Sequence, residues 1–163
     1  MAEAFTFFWK HRLSQWHRAP FVVEGQRFVC AEQYMMVAKA LLFGDHETAE
    51  RILASDDPQE QQLLGRAVRG FDERVWVFFR QGIVYRGNYE RFRQNDEQRE
   101  LLFSTRGTTL VEASPHDRIW GIGLRADDPR AQDRAQWQGL NLLGETLTQV
   151  REALWWEQVR MGE

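Results

Sequence analysis

Glu32, Met36, Lys39 and Phe43 recur at intervals of four, three and four, the spacing that stacks side chains on one face of an α-helix. The seven residues from the carboxylate to the amine amount to about two turns, roughly 10 Å along the axis. That is too wide for an ion pair within the helix. It suits two groups at opposite ends of one small-molecule pocket. An acid can move a proton, and a lysine that has lost its proton can attack an electrophilic carbon. The plain alternative is a Lys39 amine that reaches water beside Met36. The chain has nineteen Arg and only two Lys, Lys10 and Lys39. An arginine-favouring codon usage explains the ratio. A lysine kept on an apolar helix under that usage is still a candidate for a task that arginine, which cannot deprotonate, cannot perform.

A second constellation lies between Val111 and Gly123. A strand ends at Ser114-Pro115, and Asp117 and Trp120 then fall on a loop held by glycines. Catalytic carboxylates often sit on such loops beside a rigid scaffold. A turn cap for Asp117 and core packing for Trp120 are the structural alternatives, and His116 reads as a solvated turn residue. Trp76 and Trp120 are candidates to stack on a flat base. Arg66 and Arg118 are candidates for a forked contact to a phosphate.

These residues need elements to hold them. Phe5–Trp9 reads as an early strand, and Pro20–Val23 and Gln26–Cys30 flank a Glu24-Gly25 hairpin turn with Gly25 at positive φ. Helix formers run from Ala31 to Phe43 and stop at Gly44. Asp45 caps a short helix through Leu53. Asp57-Pro58 opens another helix to about Val68, with Glu60 reaching back to its start. Asp72 opens a longer helical stretch whose Val75, Trp76, Phe79 and Ile83 recur three and four apart. Gly82 and Gly87 weaken its middle. Thr109–Ala113 reads as a strand, Arg125–Gln136 as a charged surface loop, and Asn141 to about Val159 as a closing amphipathic helix. The expectation is a mainly α, α+β fold with a few short strands, in one domain over residues 1–163.

Composition narrows the function classes. Lys+Arg is 21 against Asp+Glu 24, a net charge of −3, which argues against non-specific nucleic-acid binding. The single cysteine, Cys30, leaves no disulfide framework and no cysteine-based zinc site. No apolar run approaches the ~20 residues of a membrane helix, and the N-terminus has no secretory pattern. A cytoplasmic protein is expected. No phosphate-cradling glycine loop, metal-spaced histidine pair or nucleophile elbow is present. Neither a metal nor a redox cofactor is implied.

The motifs Ala31-Glu32-Gln33-Tyr34 with Ala38-Lys39, Leu64-Gly65-Arg66, Trp76, Leu110 through Gly123 and Gly139 through Arg151 follow one another in an order that resembles the YbiA-like, or NADAR, family. The resemblance covers about residues 5–154. It implies a mainly α fold and an N-glycosidase that hydrolyses the ribosyl–nitrogen bond of phosphorylated aminopyrimidine intermediates of riboflavin biosynthesis. Other branches remove ADP-ribose from guanine in nucleic acid, and a non-catalytic module binding nucleotide or ADP-ribose is the third reading. By resemblance Glu32, Trp76 and Asp117 fall at positions functional in the family, and Lys39 matches its helix lysine. The candidate catalytic residues are Lys39, as nucleophile or orienting cation, with Asp117 or Glu32 for the protons; Trp76, Trp120, Arg66, Arg118, Glu112 and Asn141 are the candidates to bind substrate. Gln15 stands where the family's pattern has an asparagine.

Overall fold

The elements of the computed structural model, which describes residues 2–162, follow chain order as β1 (Phe5–Phe8), β2 (Phe21–Val23), β3 (Gln26–Phe28), α1 (Ala31–Leu42), α2 (His46–Leu53), α3 (Pro58–Arg66), α4 (Glu73–Gln94), α5 (Asp96–Ser104), β4 (Thr109–Glu112) and α6 (Leu142–Met161). They form two compact units, residues 2–14 with 96–162, and Gln15–Asn95. Each is taken by itself. Among the described residues no helix is long and apolar enough to cross a membrane.

In Gln15–Asn95 the antiparallel hairpin pairs Phe21 with Phe28 and Val23 with Gln26. Its turn puts Glu24 at φ 50° as well as Gly25 at φ 81°. The expectation gave positive φ to the glycine alone, but a two-residue turn of this hand needs it at both central positions. Helix α1 packs against α2, α3 and α4. It stops at Gly44, φ 72°, and Asp45 then caps α2 by accepting the Thr48 N–H at 3.2 Å. Asp57 caps α3 with Pro58 in the first turn. Glu60 does not reach back to the helix start; it accepts the Ser55 hydroxyl at 2.5 Å.

Helix α4 runs unbroken for 22 residues, through both glycines that weakened it on paper. Gly87 is where Tyr34 of α1 presses in, since a Cβ there would lie 2.4 Å from its ring. The helix interior accepts the glycine because contact with α1 replaces what propensity lacks. Of the residues that recur three and four apart in its first half, Trp76 is buried, and Val75 and Phe79 face outward.

In the other unit β1 and β4 are parallel, with Phe5 opposite Thr109 and Phe8 opposite Glu112, and α6 packs on β4. Val111, Ile122, Leu124 and Ala131 form a core joined by Phe5, Phe7 and Trp137. Two expectations are revised here. The stretch 125–136 is not a plain loop: it holds 3-10 turns at Pro129–Gln132 and Arg134–Gln136, capped by Asp128 and Asp133. Ala131 is fully buried, and its carbonyl accepts the Trp137 indole N–H at 2.9 Å. Helix α5, six of whose nine residues are charged or polar, had no apolar pattern to announce it.

The start of α6 is tied to β4 by Asn141, which is fully buried in left-handed backbone at φ 53°. Its amide oxygen accepts the Glu112 N–H at 2.9 Å, and its amide N–H donates to the Leu110 carbonyl at 3.0 Å. Gly144 permits this approach: a Cβ there would sit 2.2 Å from the Leu110 oxygen. Backbone cannot swing aside as a flexible side chain does. Gly144→Ala is therefore expected to destabilise the protein by about 2–3 kcal/mol or more, read as a drop in the urea midpoint at unchanged m-value.

Candidate active site

Glu32 is the second residue of α1, and its position is set from the start of the unit. Its backbone N–H donates to the Gln15 carbonyl at 3.0 Å, occupying one donor that a helix start leaves open. Gln15 is buried, with its amide oxygen accepting the Asn88 amide N–H of α4 at 2.7 Å. The glutamine standing in the family's asparagine position thus has a role: it fastens the start of α1 to α4. Cys30 occupies the cap position without a side-chain cap. Its thiol donates to the Gln61 amide oxygen at 3.2 Å. Burial pushes that thiol up to about 11, so it is kept protonated and is no nucleophile.

The Glu32 carboxylate belongs to a residue only 4% exposed. Between it and Lys39 on the same helix face stands Met36. Met36 is buried there and lies across Gly65 of α3, where a Cβ would come 1.8 Å from the Met36 sulfur. The Leu64-Gly65-Arg66 motif reads physically as a bare patch of α3 against which α1 packs.

Lys39 is half-buried. Its Nζ sits 4.7 Å from the centre of the Phe71 ring and 5.4 Å from that of Trp76, within cation–π range. Phe43 meets Phe71 edge-on at 5.4 Å between centroids. Desolvation by this environment pushes the amine below its usual 10.5; the negative charge of Glu32 opposes the shift, and the positive charge of Arg66 adds to it. Lys39 is thus a primary amine whose charge is contested by burial and by two flanking ions. Trp76 is 8% exposed, while Arg66, at the last turn of α3, is exposed.

Phe71 was absent from the residues picked out by sequence. It occupies the position before the α4 cap, Asp72, and Trp76 stands four residues beyond that cap. A hydrophobic staple uses these two positions, so the signal was readable. The segment leading to Phe71 is anchored by Asp45, whose carboxylate accepts the Arg69 backbone N–H at 2.9 Å and its guanidinium at 2.8 Å. Arg69's bonds, with those from Thr48, hold the Asp45 carboxyl well below its usual 3.8. A carboxylate whose pKa is lower folded than unfolded stabilises the fold above the unfolded value and loses that contribution as pH falls through the folded one. Asp45→Asn should therefore lower stability at neutral pH and flatten its fall below about pH 4, as followed by urea titrations from pH 7 to pH 2.

Asp117, Arg118, Trp120, Glu112 and Asn141 belong to the other unit. Asp117 Oδ1 accepts the Ile119 and Trp120 N–H groups at 2.9 and 2.8 Å, a turn made by an aspartate on its own following backbone. Gly121 and Gly139 let two loops cross, since a Cβ at Gly139 would lie 2.3 Å from the Gly121 carbonyl. The Leu140 N–H donates to the Arg118 carbonyl at 2.9 Å, and Leu143 N–H to that of Trp120 at 3.1 Å. Trp120 is half-buried, Arg118 and His116 are exposed, and Glu112 is half-buried on β4. The amide of Asn141 is committed to β4, so its visible task is to join strand, loop and helix.

Fold and site together describe an α+β protein whose central helix carries a buried carboxylate and an aromatic-caged amine two turns apart. The chain belongs to the NADAR domain family, whose model matches residues 7–155. It is 48% identical over 134 residues to the protein irg-1 of Caenorhabditis elegans, a match that takes in 81% of this chain and 63% of irg-1. The chain thus spans somewhat under two thirds of that relative. It is 42% identical over 147 residues to the N-glycosidase R617 of Acanthamoeba polyphaga mimivirus, 87% of this chain and 86% of that protein. It is 34% identical over 110 residues to the riboflavin biosynthesis protein PYRR, chloroplastic, of Arabidopsis thaliana, 65% of this chain and 16% of that protein. The NMR structure of Escherichia coli YbiA shares the fold, with TM-score 0.79 at 24% identity, covering 98% of this chain and 89% of that one.

Proposed function

We propose that this protein is an N-glycosidase that cleaves the ribosyl–nitrogen bond of a small phosphorylated nucleoside, with Lys39 as the attacking amine. The observation that carries the reading is the Lys39 Nζ beside the Phe71 and Trp76 rings, on the same helix as the buried Glu32. Breaking such a bond leaves positive charge on the anomeric carbon and requires a proton on the departing nitrogen. In its neutral form Lys39 bonds to the anomeric carbon as the carbon–nitrogen bond to the base breaks, and the base leaves with a proton supplied by a carboxylic acid. The sugar ring opens to an imine on Lys39, and water then adds to it, freeing ribose phosphate and restoring the amine. Glu32 is the proposed proton donor. Desolvation of Lys39 favours the neutral amine.

Trp76 supplies a flat apolar face next to the amine, fit to stack on a heteroaromatic base, and Arg66 an exposed cation for the phosphate. Asp117 is proposed to be needed for activity too, with Trp120, Arg118 and Glu112 contributing to substrate binding and Asn141 acting only by holding β4 to α6. The substrate class follows the relatives named N-glycosidase and riboflavin biosynthesis protein, which makes phosphorylated aminopyrimidine ribosides of that pathway the first substrates to try. The net charge of −3 favours them over ADP-ribosylated nucleic acid.

One assay separates the readings. Purified protein is given a riboflavin-pathway aminopyrimidine riboside phosphate and, in parallel, DNA carrying ADP-ribosylated guanine. Release of free pyrimidine with ribose phosphate supports the proposal; restored guanine supports the nucleic-acid branch; neither product leaves a binding module. Borohydride added during turnover is expected to leave a reduced sugar adduct on Lys39 by peptide mass spectrometry. Turnover without that adduct removes the covalent step while keeping the glycosidase.

A further inference from the structure

The outward face of α4 belongs to none of the chemistry above. Asp72, Val75, Phe79, Gly82 and Arg86 follow one another at intervals of three, four, three and four, one seam of a helix. Val75 is 37% exposed, Phe79 45% and the flanking Phe78 80%. The two phenylalanine rings touch each other edge-on at 4.9 Å, and with Asp72, Arg74 and Val75 they line a shallow depression. Contiguous apolar surface rimmed by charge marks a contact site.

The ends of the seam are complementary in charge about its centre. Residues symmetric about Phe79 are Asp72 and Arg86, opposite in charge, and Val75 and Ile83, both apolar, with Gly82 beside Ile83. A second copy of α4 laid antiparallel across a two-fold axis at Phe79 would set each Asp72 against the partner's Arg86 at both ends of a stretch about 21 Å long. Gly82 has nothing within 4 Å of where its Cβ would stand, leaving room for the facing Val75. Both end residues keep solvent access while making their internal bonds. Asp72, whose side chain is 42% exposed, caps the helix through the Arg74 N–H. Arg86, 53% exposed, reaches Glu24 at 3.2 Å. A partner of one charge sign would satisfy only one end of this seam; a second copy satisfies both.

We infer that the protein forms an isologous homodimer through the outward face of α4, with Phe79 on the two-fold axis. The inference is independent of the catalytic reading, because neither Lys39 nor Glu32 lies on this face.

Analytical ultracentrifugation of the whole chain over a concentration series tests it. The expected mass rises to twice 19.3 kDa by concentrations of about 100 μM. Phe79→Glu should weaken association at least tenfold with far-UV circular dichroism unchanged, since the side chain is nearly half exposed and leaves no cavity. Register is read separately by cysteine cross-linking, for which the buried Cys30 is no competitor. Phe79→Cys, on the axis, should form a disulfide-linked dimer under mild oxidation, whereas Val77→Cys, exposed but off the seam, should not. A monomer mass throughout the series overturns the inference, as does a dimer indifferent to Phe79→Glu or cross-linked equally well through Val77→Cys. A monomer that binds some other protein through this face overturns it as well.

Discussion

Lys39→Arg is expected to reduce kcat by about 10³-fold or more while leaving the fold intact. Arginine preserves the positive charge and most of the aliphatic stem, so any role as an orienting cation survives the change. What is lost is a nitrogen able to give up its proton and bond to carbon. The borohydride adduct should vanish with the activity. Stability offers a second readout with the opposite sign. Lys39 is desolvated beside Phe71 and Trp76, and its amine lies below the usual 10.5, so the fold opposes its charged form. Lys39→Met removes the ion and keeps the stem, and it should be as stable as the parent or slightly more so. A Lys39→Arg enzyme with full turnover would leave the amine without a chemical task.

With a substrate whose base leaves without protonation, turnover should rise with pH as Lys39 loses its proton, with a midpoint below 10.5, the direction burial imposes. Glu32 and Arg66 pull on that midpoint in opposite senses. Arg66→Gln removes the charge that favours the neutral amine, so the rising limb should move to higher pH. A stopped pH series of initial rates at saturating substrate reads this directly.

The parts of this molecule that could be read from its letters are those fixed by local rules. Asp45, Asp57-Pro58 and Asp72 announced the starts of three helices, and Gly44 the end of a fourth. Capping depends on a few neighbouring atoms, and each stands where the chain suggested. The Glu32–Lys39 spacing was legible for the same reason, since the helical repeat alone sets it. Contact between elements was not legible. Nothing local says that Tyr34 fills the notch at Gly87, or that Met36 lies on Gly65. Period alone could not tell which side of α4 faces in, because apolar residues occupy both sides of its first half and only Trp76 is buried there. Helix α5 escaped notice because its buried positions, Gln98 and Leu102, are too few to make a pattern. Of the amine's aromatic neighbours, Trp76 stood out as a tryptophan, while Phe71 was readable only as its staple partner across the Asp72 cap.

Glu32→Gln carries the second large effect. If Glu32 delivers the proton to the leaving nitrogen, the amide can hydrogen-bond but cannot acidify the departing base, and kcat should fall by about 10²–10⁴-fold. The substitution also acts on its neighbour. Glu32 raises the proton affinity of Lys39, so losing the negative charge should carry the amine lower still, and the remaining activity should ascend at lower pH than in the wild type. The two effects separate experimentally. A base with a better leaving group needs little protonation, so such a substrate should recover most of its rate in Glu32→Gln, with the borohydride adduct on Lys39 forming at a pH below that of the parent. Glu32→Asp keeps the charge but withdraws it by one methylene, and it should restore the pH midpoint more fully than the rate. Were Glu32 no proton donor, the pH midpoint would still move in Glu32→Gln, because its charge acts on Lys39 whatever its role. The good-leaving-group substrate would then suffer as much as the poor one.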